Sequence, residues 1–242
     1  MKALKTSSTL AVLSFCLVPG SAAKAATAED CANLAKLVAG NTTIASATLI
    51  PAGGTLPEYC RVQGRVDTEI GFEVRLPTTW NGKFYFQGGT GFVGSIAAAG
   101  PGLVRGYAEA ATDTGHQGSP ADGSWALNNP ERQVNFGYRA VHSVTLAAKQ
   151  IVQAFYGKMP DQSYFEGCSN GGRQALMEAQ RYPTDFNGII AGSPGLDYTG
   201  FMMSWIWDAQ ALKLAPIPES KLPMIAAAVL EQCDARDASG MA

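Results

Sequence analysis

The segment Gly167-Cys168-Ser169-Asn170-Gly171-Gly172 constrains this chain more than any other. It sets a serine in a G-x-S-x-G pattern, after a β-like run (Ser163–Glu166) and before a helical pattern (Gly171–Tyr182) that Pro183 ends. Side chains flanking such a serine would clash with the strand or block access, so glycine is needed there. A strained strand-to-helix turn holds the Ser169 hydroxyl at the carboxyl edge of a sheet. The helix N-terminus beneath it favours developing negative charge. The same residues would also suit a tight structural turn, with Ser169 capping the helix.

Around this turn, β-like runs alternate with helical ones. Arg61–Asp67 and Ile70–Leu76 read as a hairpin with a Gly71 turn region. Lys83–Gln87, Tyr107–Thr112 and Asn187–Ala191 read as further strands. Cys31–Gly40 reads as a short helix. Gln133–Tyr156 is the longest helical pattern, weakened at Gly137 and stopped by Gly157. Alternation of this kind predicts an α/β fold, a mostly parallel sheet with helices on both faces. Near Tyr198 the composition shifts to large apolar groups (Phe201-Met202-Met203-Ser204-Trp205-Ile206-Trp207), which suit either the start of a lid or ordinary core. Leu222–Gln232 reads as one more helix.

Hydrophobic residues make up 46% and charged residues 16%, enough apolar surface to bury a core. Net charge is −2 and no Lys/Arg run exists, which excludes a nucleic-acid or anionic-membrane surface. Lys2 and Lys5, the apolar run Thr9–Val18 and Ala23-Lys24-Ala25 predict a signal peptide over residues 1–25. The expected product is a secreted or periplasmic protein, free of the membrane once the signal is removed. That compartment oxidises thiols. Cys31, Cys60, Cys168 and Cys233 remain after Cys16 is removed. Cys31–Cys60 is the expected local disulfide. Cys168 and Cys233 could pair with each other or with partners outside this chain.

If Ser169 is a nucleophile, the Asn170 backbone N–H offers one oxyanion donor. The second is expected from Gly88-Gly89-Thr90-Gly91, at Gly89 or Thr90. In this arrangement an acid and then a histidine follow the serine. Asp185, Asp197, Asp208, Asp234 and Asp237 follow Ser169, but no histidine does. His142 lies inside a helix and is expected to be structural. His116, in Asp113-Thr114-Gly115-His116, is expected to hydrogen-bond and hold its loop rather than act as base.

Gly167 through Gln174, Met177 through Pro183 and Asp185 through Gly192 resemble the tannase and feruloyl esterase family. Thr112–His116, Trp125–Leu127 and Asn135–His142 are similar to it as well. The resemblance implies a secreted serine esterase with an α/β-hydrolase core and an inserted lid, acting on small esters of aromatic acids. It divides the chain into a signal peptide (1–25), the N-terminal part of the catalytic domain (26–198) and the beginning of the lid (199–242). Ser169 matches the nucleophile. Cys168 matches a cysteine paired, in the family, with one beside the catalytic histidine. Asp234 and Asp237 match the first carboxylate ligands of a structural calcium loop, and oxygen ligands suit calcium. Members are roughly twice this length. The catalytic aspartate, the histidine and the rest of the calcium loop have no match here, so the chain reads as an N-terminal part, inactive alone. The alternative expectation is a non-catalytic fragment acting at most as a binding remnant.

Overall fold

The computed structural model describes residues 27–37 and 40–234. The expected signal peptide and Asp237 lie outside these residues, as does the side chain of Asp234.

Helix α1 (Ala28–Asn33) starts earlier than expected because Thr27 and Asp30 cap it reciprocally. Thr27 Oγ1 accepts from the Asp30 N–H at 3.1 Å, and the Asp30 carboxylate accepts from the Thr27 N–H at 2.9 Å. A 3-10 turn over Leu34–Lys36 ends the segment short of Gly40. The expected Cys31–Cys60 disulfide staples α1 to β2 (Tyr59–Val66).

Strand β2 lies between β1 (Thr42–Ile50) and β3 (Ile70–Pro77) in an antiparallel meander. The β2–β3 hairpin is as expected, but its turn spans residues 67–69, with Asp67 at φ +49°. Gly71 lies inside β3 instead. A Cβ there would stand 2.4 Å from Asp113 Oδ2. Strand β1 has no counterpart in the sequence reading.

Beyond β3 the sheet continues through β5 (Ala108–Thr112), β4 (Lys83–Gln87), β6 (Gln162–Cys168) and β7 (Gly188–Gly192), in the order β1-β2-β3-β5-β4-β6-β7. β5, β4, β6 and β7 pair in parallel, and β3 runs antiparallel to β5. Only β1 and β3 therefore point against the other strands.

Alternation along β4 sends Phe84 and Phe86 to one face and Tyr85 to the other. Phe84, Phe86, Phe165 and Phe186 pack into one cluster with Val144, Ile151 and Val152 of α4 (Ala140–Tyr156). Burying each phenyl ring contributes roughly 1.5–3 kcal/mol. Helix α5 (Asn170–Arg181) packs on β6 and β7 beside α4. On the opposite face, α2 (Pro101–Val104) approaches Tyr85 so closely that a Cβ on Gly102 would stand 2.5 Å from the ring. Beneath α2, Glu109 is fully buried. It binds Arg75 at 2.6 Å and accepts from the Gly100 and Leu103 N–H groups at 2.8 and 3.0 Å, so the buried charge is paired.

The long helix expected over 133–156 is three pieces: α3 (Pro130–Val134), a π-helical turn (Asn135–Arg139) and α4. Gly137 lies in the π turn, and Gly157 ends α4 at φ +75°. Helix α6 (Tyr198–Leu214) is capped by Asp197, which accepts from the Gly200 N–H at 3.0 Å. It buries none of its residues, and Trp207 is 74% exposed, so the Met/Trp cluster is not core here. Helix α7 (Leu222–Asp234) follows. No helix among the described residues is long and apolar enough to cross a membrane.

His142 has the expected structural role. Its Nδ1 lies 2.6 Å from Asp185 Oδ2, and its ring stacks on Tyr182 at 3.8 Å. Glu178 is buried beside this pair, and burial, reinforced by the Asp185 charge, pushes its carboxyl up to about 8. The folded chain thus keeps a proton on Glu178 that the unfolded chain releases near the ordinary value of 4.5. The group's contribution to stability is present below that value and is lost as pH rises toward about 8. Glu178→Gln is expected to flatten the decline in denaturant midpoint measured from pH 5 to 8.

Candidate active site

Parallel strands bring the carboxyl ends of β5, β4, β6 and β7 to one edge of the sheet, where α/β folds place their ligands. Ser169 follows β6 directly and α5 starts at the next residue. Its backbone sits at φ +60°, ψ −119°, a conformation that surrounding contacts must enforce. One is the bond from its N–H to Gly192 O at 3.0 Å, at the end of β7. The side chain is exposed and makes no capping bond, so the helix-cap reading of Ser169 does not hold.

Close backbone packing explains the glycines. A Cβ on Gly167 would stand 2.4 Å from the Gly171 carbonyl, and one on Gly172 would stand 2.3 Å from Gly192 O. Both clash with backbone, which cannot swing aside.

The Asn170 N–H donates to no group among the described residues and lies at the N-terminus of α5. On the loop after β4, Gly88 N–H donates to Glu166 O at 2.8 Å and Gly89 N–H donates to Gln174 Oε1 at 2.9 Å. Gly89 is therefore occupied and does not serve as the second donor expected of it. The Thr90 and Gly91 N–H groups donate to no group among the described residues, and the carbonyl of the exposed Thr90 accepts from Val93 N–H at 2.9 Å.

A cleft of about 810 Å³ opens beside Ser169 and Asn170, with Phe92, Tyr198, Phe201 and Trp205 in its wall. Phe201 and Trp205 touch at 4.4 Å between ring centroids. A second hollow, about 800 Å³ between Arg65, Asp67 and Gln117, is lined by no serine, cysteine or histidine.

Arg173, to which the sequence reading gave no role, joins these parts. It is 7% exposed, and its Nε donates to Asn170 Oδ1 at 2.7 Å. Its other nitrogens donate to Gly137 O and Phe136 O at 2.8 and 2.9 Å. Both carbonyls belong to the π turn, whose wide hydrogen bonding sets them apart from a regular helix. The guanidinium also stands 4.6 Å from the Phe136 ring centroid and 5.3 Å from that of Tyr198. Burial lowers the Arg173 pKa, which the Tyr198 charge opposes, and burial raises the Tyr198 phenol.

His116 is buried and does not line the cleft. Its ring stacks on Trp125 at 3.9 Å. The ring faces the Phe92 and Thr114 backbone, but neither nitrogen reaches hydrogen-bond geometry, and burial lowers its pKa toward the neutral form. The expected hydrogen-bonding role of His116 is therefore filled by Asp113. That carboxylate accepts from the Gly71, Gly115 and Gln117 nitrogens at 2.9, 2.8 and 2.6 Å. Cys168, next to Ser169, and Cys233 are exposed free thiols, not paired with each other. The calcium ligands expected at Asp234 and Asp237 fall outside the described side chains.

A family model described as "Tannase and feruloyl esterase" matches residues 54–241. An uncharacterized esterase of Xanthomonas campestris pv. campestris is 43% identical over 249 residues, which cover 95% of this chain and 42% of that protein. A mono(2-hydroxyethyl) terephthalate hydrolase of Piscinibacter sakaiensis is 35% identical over 224 residues, 77% of this chain and 37% of that protein. The crystal structure of feruloyl esterase B from Aspergillus oryzae superposes with a TM-score of 0.66 at 29% identity, covering 71% of this chain and 38% of that one. The chain thus spans about two fifths of the curated relatives it matches.

The glycine packing is open to a direct check. Gly172→Ala is expected to lower the unfolding free energy by roughly 1–3 kcal/mol or more, the cost of overpacking against backbone. Gly137→Ala, where a Cβ meets nothing within 4 Å, should leave stability unchanged or slightly raised. Chemical denaturation of the two variants side by side measures the contrast.

Proposed function

The chain belongs to the tannase and feruloyl esterase family, and from that premise we propose that the protein is a carboxylic ester hydrolase with Ser169 as its nucleophile. The observation that carries this reading is the exposed Ser169 side chain on a backbone held at φ +60°, beside a free Asn170 N–H at a helix start. Ser169 Oγ attacks the ester carbonyl carbon and passes its proton to a base. The carbonyl oxygen becomes an oxyanion held by the Asn170 N–H and by a free N–H of the loop after β4, at Thr90 or Gly91. The C–O bond then breaks, and the alcohol leaves with the proton returned by the base. Water, activated by the same base, attacks the acyl-enzyme and releases the acid.

Neither histidine of this chain lines the cleft beside Ser169, and His116 is also buried and stacked on Trp125. We assign the base to a histidine in the part of the relatives' length that these residues do not span. Cys168, an exposed thiol beside Ser169, would tie that region to the nucleophile through a disulfide. The aromatic cleft wall favours an ester of an aromatic acid. This agrees with the feruloyl and terephthalate names of the relatives. Asp234 and Asp237 would begin the calcium loop of the lid, where carboxylate oxygens suit a calcium ion.

The test uses the protein expressed from its own gene to its natural stop codon. Ser169→Ala should reduce hydrolysis of methyl ferulate and of aryl nitrophenyl esters by about 10⁴–10⁶-fold and abolish labelling by a fluorophosphonate. Hydrolysis that survives the substitution removes Ser169 from the reaction.

A further inference from the structure

Two consecutive residues of α5 are buried polar side chains that reach opposite walls of the site. Arg173 takes the π turn and the Asn170 side chain. Gln174, 3% exposed, reaches the other way and accepts from the Gly89 N–H at 2.9 Å, across 85 residues of sequence. We infer that Gln174 is a positioning residue that sets the second oxyanion donor: by holding Gly89, it fixes against α5 the loop whose next two N–H groups, those of Thr90 and Gly91, donate to no group among the described residues, and whose Gly91 lines the cleft beside Ser169. The inference rests on the proposed role of Ser169.

Three observations support it. The proposed oxyanion donors sit on different elements, Asn170 on α5 and Thr90 or Gly91 on the β4 loop, so their spacing depends on what joins those elements. A side-chain bond from α5 to that loop is the one Gln174 makes. The loop is also in backbone contact with the helix, since a Cβ on Gly171 would lie 3.0 Å from Gly89 O. That contact limits how close the loop can come, whereas the Gln174 bond limits how far it can move away. Finally, Gln174 Nε2 has no partner among the described residues. The amide is thus held at this position by its carbonyl alone, the end that binds Gly89.

The lone partner of the carbonyl makes a clean substitution possible. Gln174→Met keeps the length and volume of the side chain and removes one hydrogen bond. Gln174→Glu keeps an acceptor toward Gly89. In the full-length protein, Gln174→Met is expected to lower kcat at least tenfold while KM stays within about threefold, since removing an oxyanion donor outright costs about 10²–10³. Affinity for an aryl boronic acid, whose tetrahedral adduct on Ser169 places an oxygen between the two donors, should fall in step with kcat. Gln174→Glu should recover most of both losses. Gln174→Asn draws the acceptor back by one methylene and repeats the test if the methionine variant does not fold. A Gln174→Met enzyme with kcat within twofold of the parent, or one losing KM and boronate affinity equally, overturns the inference and leaves Ser169 in place. Full activity in Ser169→Ala overturns both.

Discussion

Beneath Ser169, three backbone segments pass within contact of one another: the end of β6, the start of α5 and the loop after β4. Gly88, Gly167 and Gly171 permit that approach, because a Cβ on Gly88 would already stand 3.0 Å from the Cα atoms of the other two. Everything chemical in the site follows from this junction. The sharp φ of Ser169 leaves its side chain exposed at the sheet edge, and the loop after β4 lies against the start of α5. Burying glycine against glycine gains little apolar energy. The junction is instead held from outside, by the phenylalanine cluster under the sheet and by polar side chains with well-defined partners.

Those polar side chains share one logic. Glu109, Asp113, Arg173 and Gln174 are all buried, and each binds backbone groups of a loop or turn. A buried charge or amide is costly unless its partners are in place, so each makes its loop's native position much better than nearby alternatives. Asp113 orders the loop that carries His116, Glu109 orders α2, and Arg173 orders the π turn. Glu178 differs, with one carboxylate oxygen lacking a partner, and the protein accommodates it by keeping the carboxyl protonated well above its ordinary range.

What the sequence made legible divides by distance along the chain. The strand, the serine turn and the helix of 163–182 were readable because their spacing is complete within a few residues. So was the local Cys31–Cys60 bridge. Features built from distant residues were not. The Gln174–Gly89 bond spans 85 residues and the Arg173–Phe136 bond 37, so neither leaves a local pattern, and Gly89 looked like a free donor. The role of His116 depends on Trp125 folding back over it, which composition cannot show. Strand β1 was missed for another reason. Edge strands bury little, and its half-buried and exposed residues lack both the near-continuous burial of β3 and the clean alternation of β4.

Helix α6 carries the physics one step further. Phe201, Met202 and Trp205 meet the cleft, while Trp207, Leu212 and Leu214 point elsewhere and are half or more exposed. A helix apolar on all sides is stable in water only when covered on all sides. One side of α6 therefore faces the cleft, and the other needs polypeptide or a partner surface against it. Whatever packs on that outer side sets the position of Phe201 and Trp205, and through them the width of the cleft over Ser169. Ser169 and Asn170 are fixed by the sheet and α5, whereas the width of the cleft depends on how α6 is held. The serine turn and the outer cleft wall thus rest on separate elements, joined at Tyr198, where α6 begins and the Arg173 guanidinium meets its first ring.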